Sequence, residues 1–282
     1  AEADEAQQEA LFAALASNEA FAGFTAAHRT VVDVLEAYPA CAAIGIGHLL
    51  EVLPRIAPRF FSIASDSHTH PAAVRVCVVE TDGGLLSPVL ARAQEGDEFF
   101  VFIRHAPFNL PLTRKTAPVI MVGAGTGVSP YLGFLERRAV WAKRKVALGP
   151  ARLYFGCRQE RVDFLFAEEL QQFLVHDNGA EGTAGGEPPL SALRTAFSRD
   201  GPEKVYVQHR LAEDAGEVLR LLQEQRAVLY ICGDATRMAA DVERTLLEDV
   251  FMGAGGMARP VAQQAIAALE KSNRLLKDVW TS

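Results

Sequence analysis

The glycines of one short segment have the spacing of a phosphate-binding turn. In PVIMVGAGTGVSPYLGFLERR, an apolar run leads into Gly123, Gly125, Thr126 and Gly127, and a helical pattern follows directly. Glycine lets the backbone approach a phosphate closely, and free N–H groups at the start of a helix stabilise its negative charge. The segment therefore predicts a pyrophosphate-binding loop, although a tight turn without a ligand fits the same residues.

A second group of residues has the chemistry of a 2′-phosphate site. The segment AFSRDGPEKVYVQ places Ser198, Arg199 and Lys204 just after an apolar run, where a parallel sheet presents its ligand crevice. A guanidinium and an ammonium group bind a dianionic phosphate by charge-assisted hydrogen bonds, and Tyr206 can stack on adenine. This pattern favours NADPH over NADH, and a solvated basic loop is the alternative.

The segment PRFFSIAS combines aromatic, cationic and hydroxyl side chains on one short strand. Alternate side chains of a strand share a face, so Arg59 and Phe61 point the same way. An aromatic ring there can pack on an isoalloxazine while the guanidinium meets a diphosphate. Aromatic residues in a strand also occur in ordinary cores, which is the alternative here.

The elements that position these residues follow from hydrophobic periodicity. Apolar spacings of three and four predict helices at 5–17, 29–38 and 48–53. The β-rich runs RFFSIAS, VRVCVVE and FFVFIR predict part of an antiparallel barrel or sheet. After Pro118, the runs PVIMV, ARLYFGC, ALRTAFS and AVLYICGD alternate with helical patterns at 129–145, 165–174, 214–224 and 237–250. That alternation predicts a parallel sheet with right-handed crossovers, and the Gly-rich segment 176–189 predicts a surface loop.

Composition excludes several classes of protein. A chain of 282 residues with 49% hydrophobic and 22% charged residues is typical of a soluble protein of two domains. No apolar run is long enough to span a membrane, and the net charge of -7 gives no basic footprint for nucleic acid. The 4 cysteines lack CxxC spacing, and His68 and His70 have no third ligand, so we predict no metal site and a reducing, cytoplasmic compartment.

The motifs together resemble the NADPH–cytochrome P450 reductase group of diflavin reductases. The resemblance runs through PRFFSIAS, VFIRHAPFNLP, PVIMVGAGTGVSP, YFGCRQERVDFLF, AFSRDGPEKVYVQHRL, YICGDATRMAADV and DVWTS. The Phe in RFFS, where P450 reductase has Tyr, is closer to the NADPH-dependent diflavin oxidoreductase of cytosolic iron–sulphur cluster assembly. The resemblance implies a ferredoxin–NADP reductase-like fold, with a partial FAD-binding β-barrel and helical connector at 1–117 and an NADPH-binding α/β domain at 118–282.

The resemblance also implies a role for each matched position. The residues implied for FAD are Arg59, Phe60, Phe61, Ser62, Gly84, Leu85, Leu86 and Ser87. Those implied for NADPH are Gly125, Thr126, Gly127, Arg158, Ser198, Arg199, Lys204, Tyr206, Gln208, Asp234 and Met238. The implied catalytic residues are Ser62, Cys232, Asp278 and Trp280. The indole of Trp280 would stack on the flavin and swing aside before hydride crosses; by itself, such a tryptophan reads as a packing anchor.

The implied activity is hydride transfer from NADPH to FAD, followed by single-electron delivery to an FMN-binding flavodoxin-like domain that this chain does not contain. The final acceptor would be a haem protein or an iron–sulphur assembly protein of the anamorsin kind. The segment before GGLLSP is shorter than in the family, and Ser87-Pro88-Val89 replaces a Cys/Thr–Trp pair. Two alternatives therefore stand beside the reductase: an NADPH-binding module without FAD, and a single-flavin ferredoxin–NADP reductase.

Overall fold

The computed structural model describes residues 2–27, 30–174 and 187–280. Contacts within the chain define two compact units, Ala1–Arg59 and Phe60–Ser282. This division separates the opening helices from the rest of the chain and differs from the predicted functional boundary at 117/118. The functional boundary stays a prediction, and each unit is described by itself below.

The first unit is helical. Its elements are α1 (Glu2–Leu15), α2 (Asn18–Ala27), α3 (Val31–Ala37), a 3-10 turn (Pro39–Ala43) and α4 (Ile46–Val52). Helix α3 begins with a reciprocal cap, because Thr30 Oγ1 accepts from the Asp33 N–H at 3.2 Å while the Asp33 carboxylate accepts from the Thr30 N–H at 2.7 Å. No described residue of this unit is buried, and Phe12 is 72% exposed. The helical prediction is confirmed, but these helices do not enclose a core of their own.

Residues 60–117 contain far less antiparallel structure than the sequence predicts. Of the runs RFFSIAS, VRVCVVE and FFVFIR, the described residues form one antiparallel bridge, between Ile63 and Val76, and a short helix α5 (Ser87–Ala91) follows. Val101 in the third run is 85% exposed. A β-prone run becomes a strand only when a neighbouring edge accepts its hydrogen bonds, and FFVFIR has no such neighbour among the described residues.

The second unit contains the predicted parallel sheet. Its strands are β1 (Val119–Ala124), β2 (Ala151–Cys157), β3 (Ala192–Phe197), β4 (Val228–Asp234) and β5 (Leu275–Trp280). They pair in the order β3-β2-β1-β4-β5, and all the pairs are parallel. The chain builds outward from β1 to β3 and then returns to the other side of β1. The strand order therefore reverses between β1 and β4, where sheets of this kind bind ligands at the carboxyl ends of the strands.

Helices cover both faces of this sheet. They are α6 (Ser129–Lys143), α7 (Glu160–Asp163), α8 (Ala167–Leu174), α9 (Val207–Glu213), α10 (Ala215–Gln223), α11 (Ala240–Thr245) and α12 (Arg259–Lys271), with π-helical segments at Ala235–Ala239 and Leu246–Ala254. In β1, Ile120 and Val122 enter one core, and Val119 and Met121 enter the other. The predicted strands and helices of this lobe are confirmed, except that the helix predicted at 237–250 is divided by π-helical turns. Residues 176–186 of the predicted surface loop lie outside the described part of the chain.

Candidate functional site

The glycine loop lies between β1 and α6, at the carboxyl edge of the sheet. Gly125 has a φ of 53°, and a Cβ placed on it would meet nothing within 4 Å, so this side of the loop is open. Gly127 faces the opposite way, since a Cβ there would lie 2.1 Å from the Cys232 carbonyl oxygen. Ser129 Oγ donates to the Thr126 carbonyl at 2.7 Å and fixes the start of α6. An open loop of backbone amides leading into a 15-residue helix fits a pyrophosphate.

Three of the predicted catalytic residues meet beside this loop. Cys232 and Asp278 are register partners on β4 and β5, and Ser62 Oγ donates to Asp278 Oδ2 at 2.6 Å. Burial, and then the charge of Asp278, raises the pKa of the Cys232 thiol, while a hydrogen bond with Ser62 has a smaller opposite effect. Cys232 therefore remains a neutral thiol at neutral pH. The structure brings together a hydroxyl, a thiol and a carboxylate from three separate segments.

A buried tyrosine supports this cluster from below. Tyr131 in α6 is fully buried, and its hydroxyl donates to the carbonyls of Val122 at 2.8 Å and Tyr230 at 3.2 Å. The hydroxyl thus ties α6 to β1 and β4 under the glycine loop. Burial raises its pKa well above the ordinary value, and the nearby Cys232 adds to the effect, so Tyr131 stays protonated.

Trp280, Asp234 and Met238 lie at the same edge. Trp280 ends β5 opposite Asp234 of β4 and is 39% exposed. The Asp234 carboxylate accepts from the Arg237 N–H at 2.7 Å and from Thr236 Oγ1 at 3.0 Å, which starts the following π-helical turn. Met238 is buried close to Gly233. Asp234 and Met238 therefore shape the edge, and the Trp280 indole remains partly open to solvent.

The basic residues follow β2 and β3. The main chain continues in parallel register past the strands, with the Ser198 N–H donating to Cys157 O at 3.0 Å and the Arg199 N–H to Arg158 O at 2.8 Å. Arg158 Nε donates to Asp163 at 3.0 Å. Arg199 and Lys204 are exposed, and in the described part of the chain neither forms an ion pair. Two cations are thus left for an external anion.

Tyr206 and Gln208 face different surroundings. Tyr206 is 42% exposed, immediately before α9, with its ring centroid 5.8 Å from that of His209. Gln208 is buried, and its Nε2 donates to Asp241 Oδ2 at 3.1 Å. The Gln208 amide therefore contacts α11, while Tyr206 remains accessible. Asp241 was not among the predicted site residues. The available signal was an acidic side chain in the helical segment that follows β4.

The residues predicted for FAD are only partly brought together. Arg59 belongs to the first unit, where its Nη1 donates to Ala57 O at 2.5 Å. Phe60 packs edge-on against Phe102, with ring centroids 5.9 Å apart, and the Arg104 guanidinium lies 4.2 Å above the Phe60 ring. Phe61 is partly buried beside Ser62.

The turn formed by Gly84, Leu85, Leu86 and Ser87 is local. Ser87 Oγ accepts from the Thr81 N–H at 3.0 Å, and a Cβ on Gly84 would lie 2.9 Å from the Thr81 carbonyl oxygen, a backbone atom, so the turn favours glycine. Among the described residues of the second unit, no hydrogen bond joins this turn to residues 60–62. The described residues therefore fit NADPH more completely than they fit FAD.

Cys77 lies close to the start of α6 and is partly buried. Its thiol hydrogen-bonds the Ser129 hydroxyl at the start of α6, and burial raises its pKa. This contact puts Cys77 next to the glycine loop. Cys157, at the end of β2, has a pKa raised to about 12 by burial and by the charge of Asp163.

Two classes of feature are missing from the described residues. No three His, Cys, Asp or Glu side chains there are grouped as metal ligands, and His68 and His70 contact Arg137 and Glu136 instead. No helix in the described ranges combines the length and apolar character needed to cross a bilayer.

Comparisons with known proteins agree with this geometry. Residues 121–244 match the oxidoreductase NAD-binding domain family, and residues 1–83 match the FAD binding domain family. The chain is 38% identical to NADPH–cytochrome P450 reductase of Bos taurus and 39% identical to that of Homo sapiens, over 270 residues in each case. It is 37% identical to the Musca domestica protein over 265 residues. Each match covers 90% of this chain but only 37% to 38% of the relative. Two segments of the chain therefore match an FAD-binding and an oxidoreductase NAD-binding domain family, and the chain is similar to a part of these reductases that spans about 38% of their length.

Proposed function

We propose that this chain is the FAD- and NADPH-binding part of an NADPH-dependent flavoprotein reductase, with its functional boundary near 117/118. The observation that carries the proposal is the meeting of Ser62, Cys232 and Asp278, with Ser62 2.6 Å from Asp278, beside the glycine loop at the point where the strand order reverses. The chemistry that bound FAD would supply is acceptance of hydride from NADPH and release of single electrons.

The chain's own residues divide the binding of NADPH between them. The amides of Gly125, Thr126 and Gly127 would bind the pyrophosphate, with Arg158 alongside. Arg199 and Lys204 would bind the 2′-phosphate, because they are exposed cations without an acidic partner among the described residues.

The reactive cluster would act by charge and position. The Asp278 carboxylate, held by the Ser62 hydroxyl at 2.6 Å, stabilises positive charge that develops on a nicotinamide ring. The neutral Cys232 thiol provides a small, uncharged surface next to it. Trp280 would stack over the flavin and move aside for the nicotinamide, as its position at the end of β5 and its 39% exposure allow.

The partners of the whole protein are also proposals, since the chain spans 38% of the length of the reductases it matches. The name of those relatives supports a haem-protein acceptor, and the resemblance implies an FMN-binding domain that would pass electrons to it. An iron–sulphur assembly protein of the anamorsin kind is the alternative acceptor, suggested by Phe61 in the RFFS segment. We place this electron transfer in the cytoplasm.

The 2′-phosphate assignment can be tested without flavin. Arg199→Ala should weaken binding of 2′,5′-ADP at least about tenfold, because one charge-assisted hydrogen bond contributes about 1.5–3 kcal/mol. Binding of 5′-ADP, which lacks that phosphate, should change little, and calorimetric titration measures both. Arg144→Ala is the matched control, since Arg144 is exposed at the far end of α6. Equal weakening of the two nucleotides by Arg199→Ala would reject the assignment.

A second candidate is an NADPH-binding module that does not retain FAD. The observation in its favour is that the sheet of the second unit is covered on both faces, whereas the described residues 60–117 contribute a single antiparallel bridge. Absorbance separates the two candidates. A purified protein with flavin bands that NADPH bleaches without oxygen supports the reductase, and a colourless protein that binds NADPH supports the module.

A further inference from the structure

Helix α6 contacts the segment that carries Ser62 through one charged face. Gly133, Glu136 and Arg137 lie three and four residues apart, so they share that face. A Cβ on Gly133 would lie 2.8 Å from the Ser65 carbonyl oxygen, which means that the segment rests directly on the helix backbone. This close approach brings the charged side chains of α6 into reach of residues 64–75.

Asp66 is the centre of the contact. It is 7% exposed, and its carboxylate accepts from the N–H groups of His68 and Thr69, from the Thr69 hydroxyl, and from Arg137 Nε at 2.6 Å. Its own N–H donates to Glu136 Oε2 at 2.7 Å. Burial acts to raise the pKa of Asp66, but the hydrogen bonds of Arg137 and Thr69 outweigh it and hold the pKa below the ordinary 3.8. The carboxylate is therefore charged, and its oxygens are occupied by hydrogen bonds from His68, Thr69 and Arg137.

Arg75, next to the bridge residue Val76, binds the same helix. Its guanidinium binds Glu136 at 3.0 Å and Glu169 at 2.9 Å, and its Nε donates to the Ala64 carbonyl at 3.2 Å. The Ala64 N–H in turn donates to the Arg75 carbonyl at 2.7 Å. Residues 64–75 are thus held on α6 at both ends.

Ser62 lies four residues before Asp66, a span of at most about 14 Å of extended chain. We infer that Asp66 and Arg137 are positioning residues, which hold Ser62 against Asp278 and over Cys232 through the backbone of residues 62–66. The inference deepens the proposed function and rests on it for its catalytic meaning. The contact itself is independent of any cofactor, so it can be tested separately.

Thiol labelling measures this positioning directly. Cys232 is fully buried beside Ser62, so displacement of residues 62–66 should expose it, whereas Cys157 lies on β2 away from that segment. Both thiols have raised pKa values and react slowly, so a difference between them reports access to reagent. Peptide-resolved mass spectrometry follows alkylation at each position.

Arg137→Ala should speed alkylation of Cys232 about tenfold and leave Cys157 within about twofold of wild type. Arg137→Lys, which keeps the charge, should recover part of the protection. Arg144→Ala, at the residue that follows the last residue of α6, should match wild type. If Arg137→Ala fails to fold, Asp66→Asn is measured in the same way, because its remaining oxygen still accepts from the turn. Unchanged labelling of Cys232, or parallel acceleration at Cys232 and Cys157, would overturn the inference.

A second readout separates this inference from the proposed function. In flavin-loaded protein, Arg137→Ala should lower kcat for NADPH oxidation at least about tenfold while the affinity for 2′,5′-ADP stays at the wild-type value. Wild-type protein that fails to bind 2′,5′-ADP would reject the proposed function and leave the labelling result intact. Equal loss of nucleotide affinity and kcat would instead reject the positioning role.

Discussion

Gly127→Ala is the sharpest single test of the site, because Gly127 belongs to the glycine loop and packs against the backbone of Cys232 in the reactive cluster. The added Cβ would lie 2.1 Å from the Cys232 carbonyl oxygen, 2.8 Å from its carbonyl carbon and 3.2 Å from Gly233 Cα. All three atoms are backbone, so no side chain can rotate away. Ordinary contact begins at 3.4 Å, and the loop and β4 must therefore separate by about 1.3 Å, the difference between 3.4 and 2.1 Å.

That separation lowers the free energy of unfolding. Overpacking of a rigid interior costs typically about 1–3 kcal/mol, and a clash with backbone belongs at the upper end, about 3 kcal/mol. For a chain of this size, that corresponds to a fall in Tm of roughly 6–12 °C. We also expect at least about tenfold weaker binding of NADPH, because the displaced amides no longer converge on the pyrophosphate.

Differential scanning calorimetry and nucleotide titration measure the two effects. Gly216→Ala is the matched control, since Gly216 lies in α10 with nothing within 4 Å of an added Cβ, and alanine there favours the helix by up to about 1 kcal/mol. A Gly127→Ala protein that melts with the control, or that binds NADPH as tightly as wild type, would refute the packing argument.

Two further predictions concern Trp280 and the contact of Asp66 with α6. Trp280→Ala should raise kcat/KM for NADH in flavin-loaded protein, because the indole no longer occupies the space of the nicotinamide; unchanged steady-state kinetics with both nucleotides would remove the gating role. For Asp66, the folded pKa is lower than the unfolded value near 3.8, so its charge stabilises the fold above that pH and the contribution is lost as pH falls through the folded pKa. Chemical denaturation should therefore show Asp66→Asn less stable than wild type near neutral pH, and the difference should shrink as the pH falls below 3.8 toward the lowered folded pKa; a difference that stays constant from neutral pH into that acid range would contradict the assignment.

The nucleotide lobe could be predicted because its signals are local. Each of the predicted strands is a short apolar run, and Val119, Ile120, Met121 and Val122 are all buried, as a parallel sheet covered on both faces requires. The glycines at 123–127 mark the turn into α6 with equal clarity. Strand β5 was missed, because LLKDVW carries Lys277 and Asp278 and so lacks a continuous apolar run.

Contacts between distant residues could not be predicted in this way. Gln208 and Asp241 are 33 positions apart, and Asp66 and Arg137 are 71 positions apart, so no local pattern relates them. Gln208 illustrates the consequence: the resemblance implies that it contacts NADPH, and the sequence offers no signal that its amide is buried and hydrogen-bonded to Asp241 of α11. The burial and the hydrogen-bond partners of a polar side chain depend on how distant segments pack together. That packing exists only in the folded chain, so a local sequence pattern does not reveal it.

Among the described residues, the predicted antiparallel pairing is limited to one bridge for a related reason. The run FFVFIR has the composition of a strand, yet Phe102 is 64% exposed and contacts Phe60 through an edge-on ring pair. Composition measures how well a segment fits a half-buried pleated surface, and it does not provide the neighbouring edge. The bridge between Ile63 and Val76 forms because α6 holds both of its sides, through Asp66 and Arg75.

The packing of the site determines which of its functions can be separated. Cys232 contributes its carbonyl to the contact with Gly127 and its thiol to the contact with Ser62, and its register partner is Asp278. A change on β4 therefore disturbs the phosphate loop and the reactive cluster at the same time. Ser62 arrives from a different segment, which α6 holds by side-chain ion pairs. Loss of those pairs should release Ser62 without moving the glycine loop. A substitution on α6 can therefore lower reactivity while nucleotide binding is kept, whereas a substitution on β4 changes both.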